Sequence, residues 1–101
     1  MAIKSIKSKA LKKFWLDNDE SKVQPNHIDI LDDILTMLES SHSPKDIKKS
    51  FRSFEEKKGS GSGTYTIQVN GNWRVTFQIE NEGAVLVDYK DYHGKQIRTK
   101  K

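Results

Sequence analysis

From Thr64 onward the apolar side chains fall on every second residue, and this change of period constrains the fold of the 101-residue chain more than any other feature. Tyr65, Ile67 and Val69 alternate with polar neighbours, and Trp73, Val75, Phe77 and Ile79 do the same over residues 72–80. Such alternation turns one side of each strand to a core and the other to solvent. Asn70-Gly71 between them is a two-residue hairpin signal, because both residue types accept positive φ. Asn81-Glu82-Gly83 marks a second turn. Residues 84–92 then read as a last strand with apolar residues on both faces (Val85, Val87 and Tyr89 against Ala84 and Leu86), which places it inside the sheet.

The first half of the chain has the spacing of helices. Residues 3–6 alternate as a short strand, and Ser8 can cap a helix over residues 9–17 that carries Leu11, Phe14 and Trp15. Pro25 suits the first turn of a second helix, whose apolar stripe is Ile28, Leu31, Ile34, Leu35 and Leu38. Ser43-Pro44-Lys45-Asp46 caps and starts one short turn, residues 51–55 form a strand candidate, and Gly59-Ser60-Gly61-Ser62-Gly63 is a flexible stretch. The order predicts an α+β domain in which two helices pack on one face of a twisted, mainly antiparallel sheet of four to five strands. The other face is left to solvent or ligand.

Charge is segregated within a net +4. Lys4, Lys7, Lys9, Lys12 and Lys13 occupy the first thirteen residues without an acid. Lys95, Arg98, Lys100 and Lys101 do the same at the other end, and Asp29, Asp32, Asp33 and Glu39 lie between. This fits a polyanion partner on one surface, or equally solvated helix faces with a basic tail. The absence of cysteine excludes disulfides and thiolate zinc sites. Three scattered histidines point to no metal site, and nothing calls for a cofactor. No apolar run approaches the roughly 20 residues of a membrane span, and the opening residues lack the apolar core of a signal peptide, so the cytoplasm is the expected compartment.

Arg74, Thr76 and Gln78 alternate with the core residues of their strand and therefore face away from the core. An arginine there offers a permanently charged fork suited to a phosphate. The final strand closes with Asp88-Tyr89-Lys90-Asp91-Tyr92-His93, which sets an aromatic ring and an imidazole where regular structure stops. Read from the residues alone, Glu55, Glu56, Lys57 and Lys58 are surface charges that balance one another. His27 and His42 read as structural or solvated, and Trp73, Phe77, Phe14 and Trp15 as core.

Asn70-Gly71-Asn72-Trp73-Arg74-Val75-Thr76-Phe77, followed by the Asp88–His93 run, resembles the end of HigB-type toxins of the RelE/ParE toxin–antitoxin superfamily. The opening residues 3–14 and Gln24-Pro25-Asn26-His27 are also similar to theirs. The resemblance spans about residues 2–93 and implies a RelE-like toxin domain over residues 1–93, with residues 94–101 as a basic tail beyond the usual family end. It further implies a metal-independent endoribonuclease that cleaves mRNA in the ribosomal A site, the attacking group being a 2′-hydroxyl of the message. Arg74 becomes the transition-state cation, His93 the general acid, and Tyr92 the ring that stacks on or orients a nucleotide.

Counting back from Asn70 without gaps, Phe54-Glu55-Glu56-Lys57-Lys58-Gly59 stands where the family usually has Leu-His-Pro-Leu-Lys-Gly. Lys58 thus falls on the family lysine, with Lys57 beside the substrate, and Glu55 replaces the histidine as base, as a glutamate does in some other RelE-like toxins. A carboxylate beside Lys58 and Arg74 is expected to have its pKa pulled down. The implied partners are a HigA-like helix-turn-helix antitoxin and the ribosome, with its 16S rRNA and A-site mRNA. DNA would be met only through the antitoxin complex. Two other readings share the fold. A ParE-like gyrase inhibitor is opposed by Arg74, Tyr92 and His93, whereas an inactivated toxin that only binds antitoxin is favoured by Glu55 and the Gly/Ser stretch.

Overall fold

A computed structural model describes residues 1–57, 59 and 63–91 of the chain. The elements are β1 (Ala2–Ile3), α1 (Lys9–Asp17), a 3₁₀ turn (Pro25–His27), α2 (Ile28–Ser40), α3 (Pro44–Ser50), β2 (Glu55–Glu56), β3 (Thr64–Asn70), β4 (Trp73–Glu80) and β5 (Gly83–Asp91). The helices start where the sequence supplies start signals. The Ser8 hydroxyl accepts the Leu11 N–H at 3.1 Å and satisfies one of the orphan donors of α1. Pro25 and Pro44 each sit in a first turn, where the missing N–H costs nothing. The segment from Pro44 is a full seven-residue helix rather than the single turn expected.

The five strands form one sheet in the order β1-β5-β4-β3-β2, with β1 parallel to β5 and the other pairs antiparallel. The last strand therefore lies inside the sheet, as its two apolar faces predict. Both edge strands are two residues long, a length that offers little template for unwanted pairing. Strand expectations at the two edges shift. The first strand ends at Ile3, and Ile6 makes only an isolated bridge to Val87. Residues 51–54 are not strand, because the Phe51 N–H closes α3 on the Ile47 carbonyl and the Phe54 N–H turns back to that of Phe51. Phe54 is thereby delivered into the core, stacked with Tyr65 and Phe77.

The two hairpins differ in their turns. Asn70 pairs with Trp73, so the loop is Gly71-Asn72 and not Asn70-Gly71; only Gly71 has positive φ, the pattern of a type II′ turn. A register shift between Gln68 and Asn70 absorbs the one-residue offset. Asn81 and Glu82, by contrast, are both left-handed, as a type I′ turn requires.

All three helices contribute to the core on one face of the sheet. Leu11, Leu31, Ile34, Leu35, Leu38 and Ile47 are fully buried, and they form one cluster with the sheet's Ile67, Val75, Phe77, Ala84 and Val87. Each such aliphatic or aromatic side chain contributes about 1.5–3 kcal/mol on burial. Among the described residues no helix is long and apolar enough to cross a membrane.

Candidate active site on the open face of the sheet

The face of the sheet that the helices leave uncovered is built from cross-strand rows. One row runs Glu55, Thr66, Thr76, Asp88 from β2 to β5, and the next runs Gln68, Arg74, Lys90. Partners in a row share a face, so the strand register alone brings two acids, two hydroxyls, an amide and two cations to one surface. Thr66 and Thr76 form its buried floor.

Arg74 is half-buried at the centre of this face. Its Nη1 donates to the Gly71 carbonyl at 2.9 Å and the Trp73 carbonyl at 3.2 Å, which ties the guanidinium to the hairpin turn. A fork held in this way is preorganised, and Nε and Nη2 are the donors a phosphate would take. Lys90 lies directly opposite Arg74 on β5 and approaches Asp88 at 3.8 Å.

Glu55 is exposed on the edge strand β2. It stands two strands across and two residues along from Arg74, about 12 Å at normal strand geometry, so the close carboxylate–guanidinium contact expected from sequence is not formed. Lys57 is half-buried, and its backbone N–H continues the β2–β3 ladder by donating to the Thr64 carbonyl at 2.8 Å. Lys58, Tyr92 and His93 lie outside the described residues. Among the described residues no three of His, Asp and Glu come together as a metal-binding group.

The sequence gives less warning of what supports the face. His27 is only 2% exposed, and its Nδ1 lies 2.7 Å from the Tyr89 hydroxyl. Trp73 stacks at a tilt on Tyr89, with centroids 4.5 Å apart, and both rings meet the imidazole edge-on. Burial pushes the His27 pKa down and that of Tyr89 up, so both groups stay neutral at pH 7. Trp73 pairs with Asp91 across the sheet. The cluster thus sits beneath the end of β5, immediately before Tyr92 and His93. The reading of His27 as structural holds, and Trp73 packs on this cluster as a half-buried residue. Lys7 and Lys90 also reach the open face, where a concavity of about 160 Å³ is lined by both of them and by Lys57. Lys90 was legible from alternation with Tyr89; Lys7 had only its place in the basic N-terminal run as a signal.

Residues 4–93 match the family described as RelE-like toxin of the type II toxin–antitoxin system HigB. The chain is also similar to a protein of Proteus vulgaris named Endoribonuclease HigB, at 32% identity over 91 residues, which is 90% of this chain and 99% of the relative.

Proposed function

The chain belongs to the HigB-like family of RelE-like type II toxins, and from that premise we propose that it is a ribosome-dependent endoribonuclease that cuts mRNA in the A site without a metal ion. The observation that carries this reading is the placement of Arg74, anchored between Gln68 and Lys90 on the sheet face that the helices leave open. A message laid across this face would meet a fixed guanidinium at one phosphate.

In the proposed reaction a 2′-hydroxyl of the message attacks the adjacent phosphorus. Glu55 takes the hydroxyl proton. Arg74, with Lys58, stabilises the charge that builds on the phosphorane oxygens, and His93 protonates the departing 5′-oxygen. The P–O5′ bond breaks as the P–O2′ bond forms, which leaves a 2′,3′-cyclic phosphate and a 5′-hydroxyl. Tyr92 stacks on a neighbouring base, and Lys57 contacts the backbone. Because Glu55 and Arg74 stand about 12 Å apart, two strands across and two residues along, the ribose and the scissile phosphate bridge the gap between base and cation.

The proposed compartment is the cytoplasm, where ribosomes are translating, and the proposed partner that silences the toxin is a HigA-like helix-turn-helix antitoxin. Mapping of RNA 5′ ends after expression tests the cleavage. The expected result is new 5′-hydroxyl ends inside translated reading frames that vanish when translation is blocked. Growth arrest without such ends would overturn the reading, and DNA breaks trapped on gyrase would replace it with the gyrase inhibitor.

A further inference from the structure

Strand β5 carries an irregularity opposite Phe77. Thr76 pairs with Asp88 but Gln78 pairs with Val85, so Phe77 of β4 faces both Leu86 and Val87. At this bulge Leu86 adopts φ +54°, a left-handed conformation that a leucine rarely takes because its Cβ crowds the following carbonyl. Backbone strain of this kind persists only where the surroundings enforce it, and it collects at functional positions. Here the enforcing element is the segment after β1. The Leu86 N–H donates to the Ser5 hydroxyl at 2.8 Å, the Val87 N–H to the Ser5 carbonyl at 3.1 Å, and the Lys7 N–H to the Val87 carbonyl at 2.7 Å.

The result of this strain is an exposed apolar side chain. Leu86 is 48% exposed, and among the described residues it shares that status, for a large hydrophobic, only with Leu16 on α1. It does not stand on bare surface. It lines the 160 Å³ concavity together with Lys7, Lys57 and Lys90, cationic residues brought by three separate segments, and with Thr76 and Gln78. The carboxylate there, Asp88, is near Lys90. An apolar platform ringed by cations and amide or hydroxyl groups matches one nucleotide, whose base has a flat apolar face and a polar edge and whose phosphate is anionic.

We propose that this concavity is a nucleotide subsite for single-stranded RNA, in which the bulge holds Leu86 as the platform for a base and Lys7 contacts the phosphate. It deepens the cleavage reading above and rests on it for its place in the reaction. Thr76 lies two residues along β4 from Arg74, about 7 Å, and Lys90 faces Arg74 while also lining the concavity, so the subsite holds a nucleotide next to the scissile phosphate. The base held there would set part of the sequence preference.

The test uses the full chain and a fluorescent single-stranded RNA dodecamer with 2′-O-methyl groups, which cannot be cut, with affinity read by anisotropy over a range of salt. Leu86→Asn keeps a residue that tolerates positive φ but removes the platform. It is expected to weaken binding about tenfold, within the range of a single base contact, with an unchanged salt slope. Lys7→Gln is expected to weaken binding and to lower the salt slope by about 0.7, the loss of one phosphate contact on a single strand. Leu86→Gly relieves the backbone strain and so should fold at least as well as the parent chain while binding as poorly as Leu86→Asn.

A parent chain that does not bind the dodecamer, or variants that bind it as the parent does, would overturn the subsite. The cleavage map separates this from the parent reading. If the parent cuts messages and all three variants cut the same positions at the same KM, the subsite fails and the nuclease stands. If the dodecamer binds in a Leu86-dependent way but no message is cut, the nuclease fails and the subsite stands.

Discussion

Removing one oxygen atom tests whether the cluster under the end of β5 is held as described. Tyr89→Phe keeps the ring that stacks on Trp73 at 4.5 Å and meets His27 edge-on, and deletes only the hydroxyl 2.7 Å from His27 Nδ1. Since His27 is 2% exposed, water has little access to replace that partner. A buried polar atom left unsatisfied costs about 1–3 kcal/mol. For a domain of this size each kcal/mol lowers the melting temperature by about 4–8 °C, so a fall of at least about 4 °C is expected.

The companion change, His27→Phe, removes the imidazole partner of the tyrosine hydroxyl and leaves its Gln24 backbone partner in place. The double variant replaces both partners by apolar rings and is expected to be less destabilised than the sum of the two, with a coupling of about 0.5–3 kcal/mol. The backbone hydrogen bond between Gln24 and the same hydroxyl is lost whenever Tyr89 is changed, and so cancels in the cycle. Urea unfolding followed by tryptophan fluorescence measures all four proteins. Single effects that add to within about 0.5 kcal/mol would refute the claim that the two side chains hold each other.

Three further outcomes follow from the same geometry. Burial lowers the His27 pKa in the folded chain, so as pH falls through about 6.5 the unfolded chain binds a proton first and stability declines, by up to about 1.4 kcal/mol per pH unit, until the folded pKa is reached. Urea midpoints at pH 7 and 5.5 should show this fall, and His27→Phe should flatten it. Arg74→Ala should lower the cleavage rate about 10²–10³-fold and His93→Ala about 10²–10⁴-fold, with unchanged circular dichroism; equal toxicity of both variants on expression would sink the proposed site. Ser8→Ala removes the cap of α1 and should cost about 1 kcal/mol in the same urea assay without altering the cut positions.

How much of this was legible in the sequence depends on the range of the interaction. Helix α1 begins and ends where Ser8 and the spacing of Leu11 and Phe14 predict, because caps and amphipathic stripes act over one turn. The open face is equally local. Once Val75 and Phe77 are assigned to the core, the period of two sends Arg74 to the other side.

Features set by partners distant in the chain were not legible. The hairpin loop moved by one residue because a bulge near Val69 offset the register. The bulge at Leu86 depends on Ser5, 81 residues earlier, and the burial of His27 depends on Tyr89, 62 residues later. The separation of Glu55 from Arg74 comes from strand order, which a count along the chain does not contain. Lys58, Tyr92 and His93 rest on the family resemblance.

The parallel pairing of β1 with β5 also bears on how the chain is made. Ala2 and Ile3 register with Gly83 and Ala84, so a sheet element produced among the first residues waits for one produced more than eighty residues later. Loop closure over that separation is entropically costly and slows folding, since non-local contacts reward the chain only once they form. The helices can gather as synthesis proceeds from the N-terminus, but Lys7, Arg74 and Lys90 come onto one surface only after β5 inserts between β4 and β1. An incomplete nascent chain therefore has no assembled cationic face, and a truncation anywhere before residue 83 should leave a harmless product.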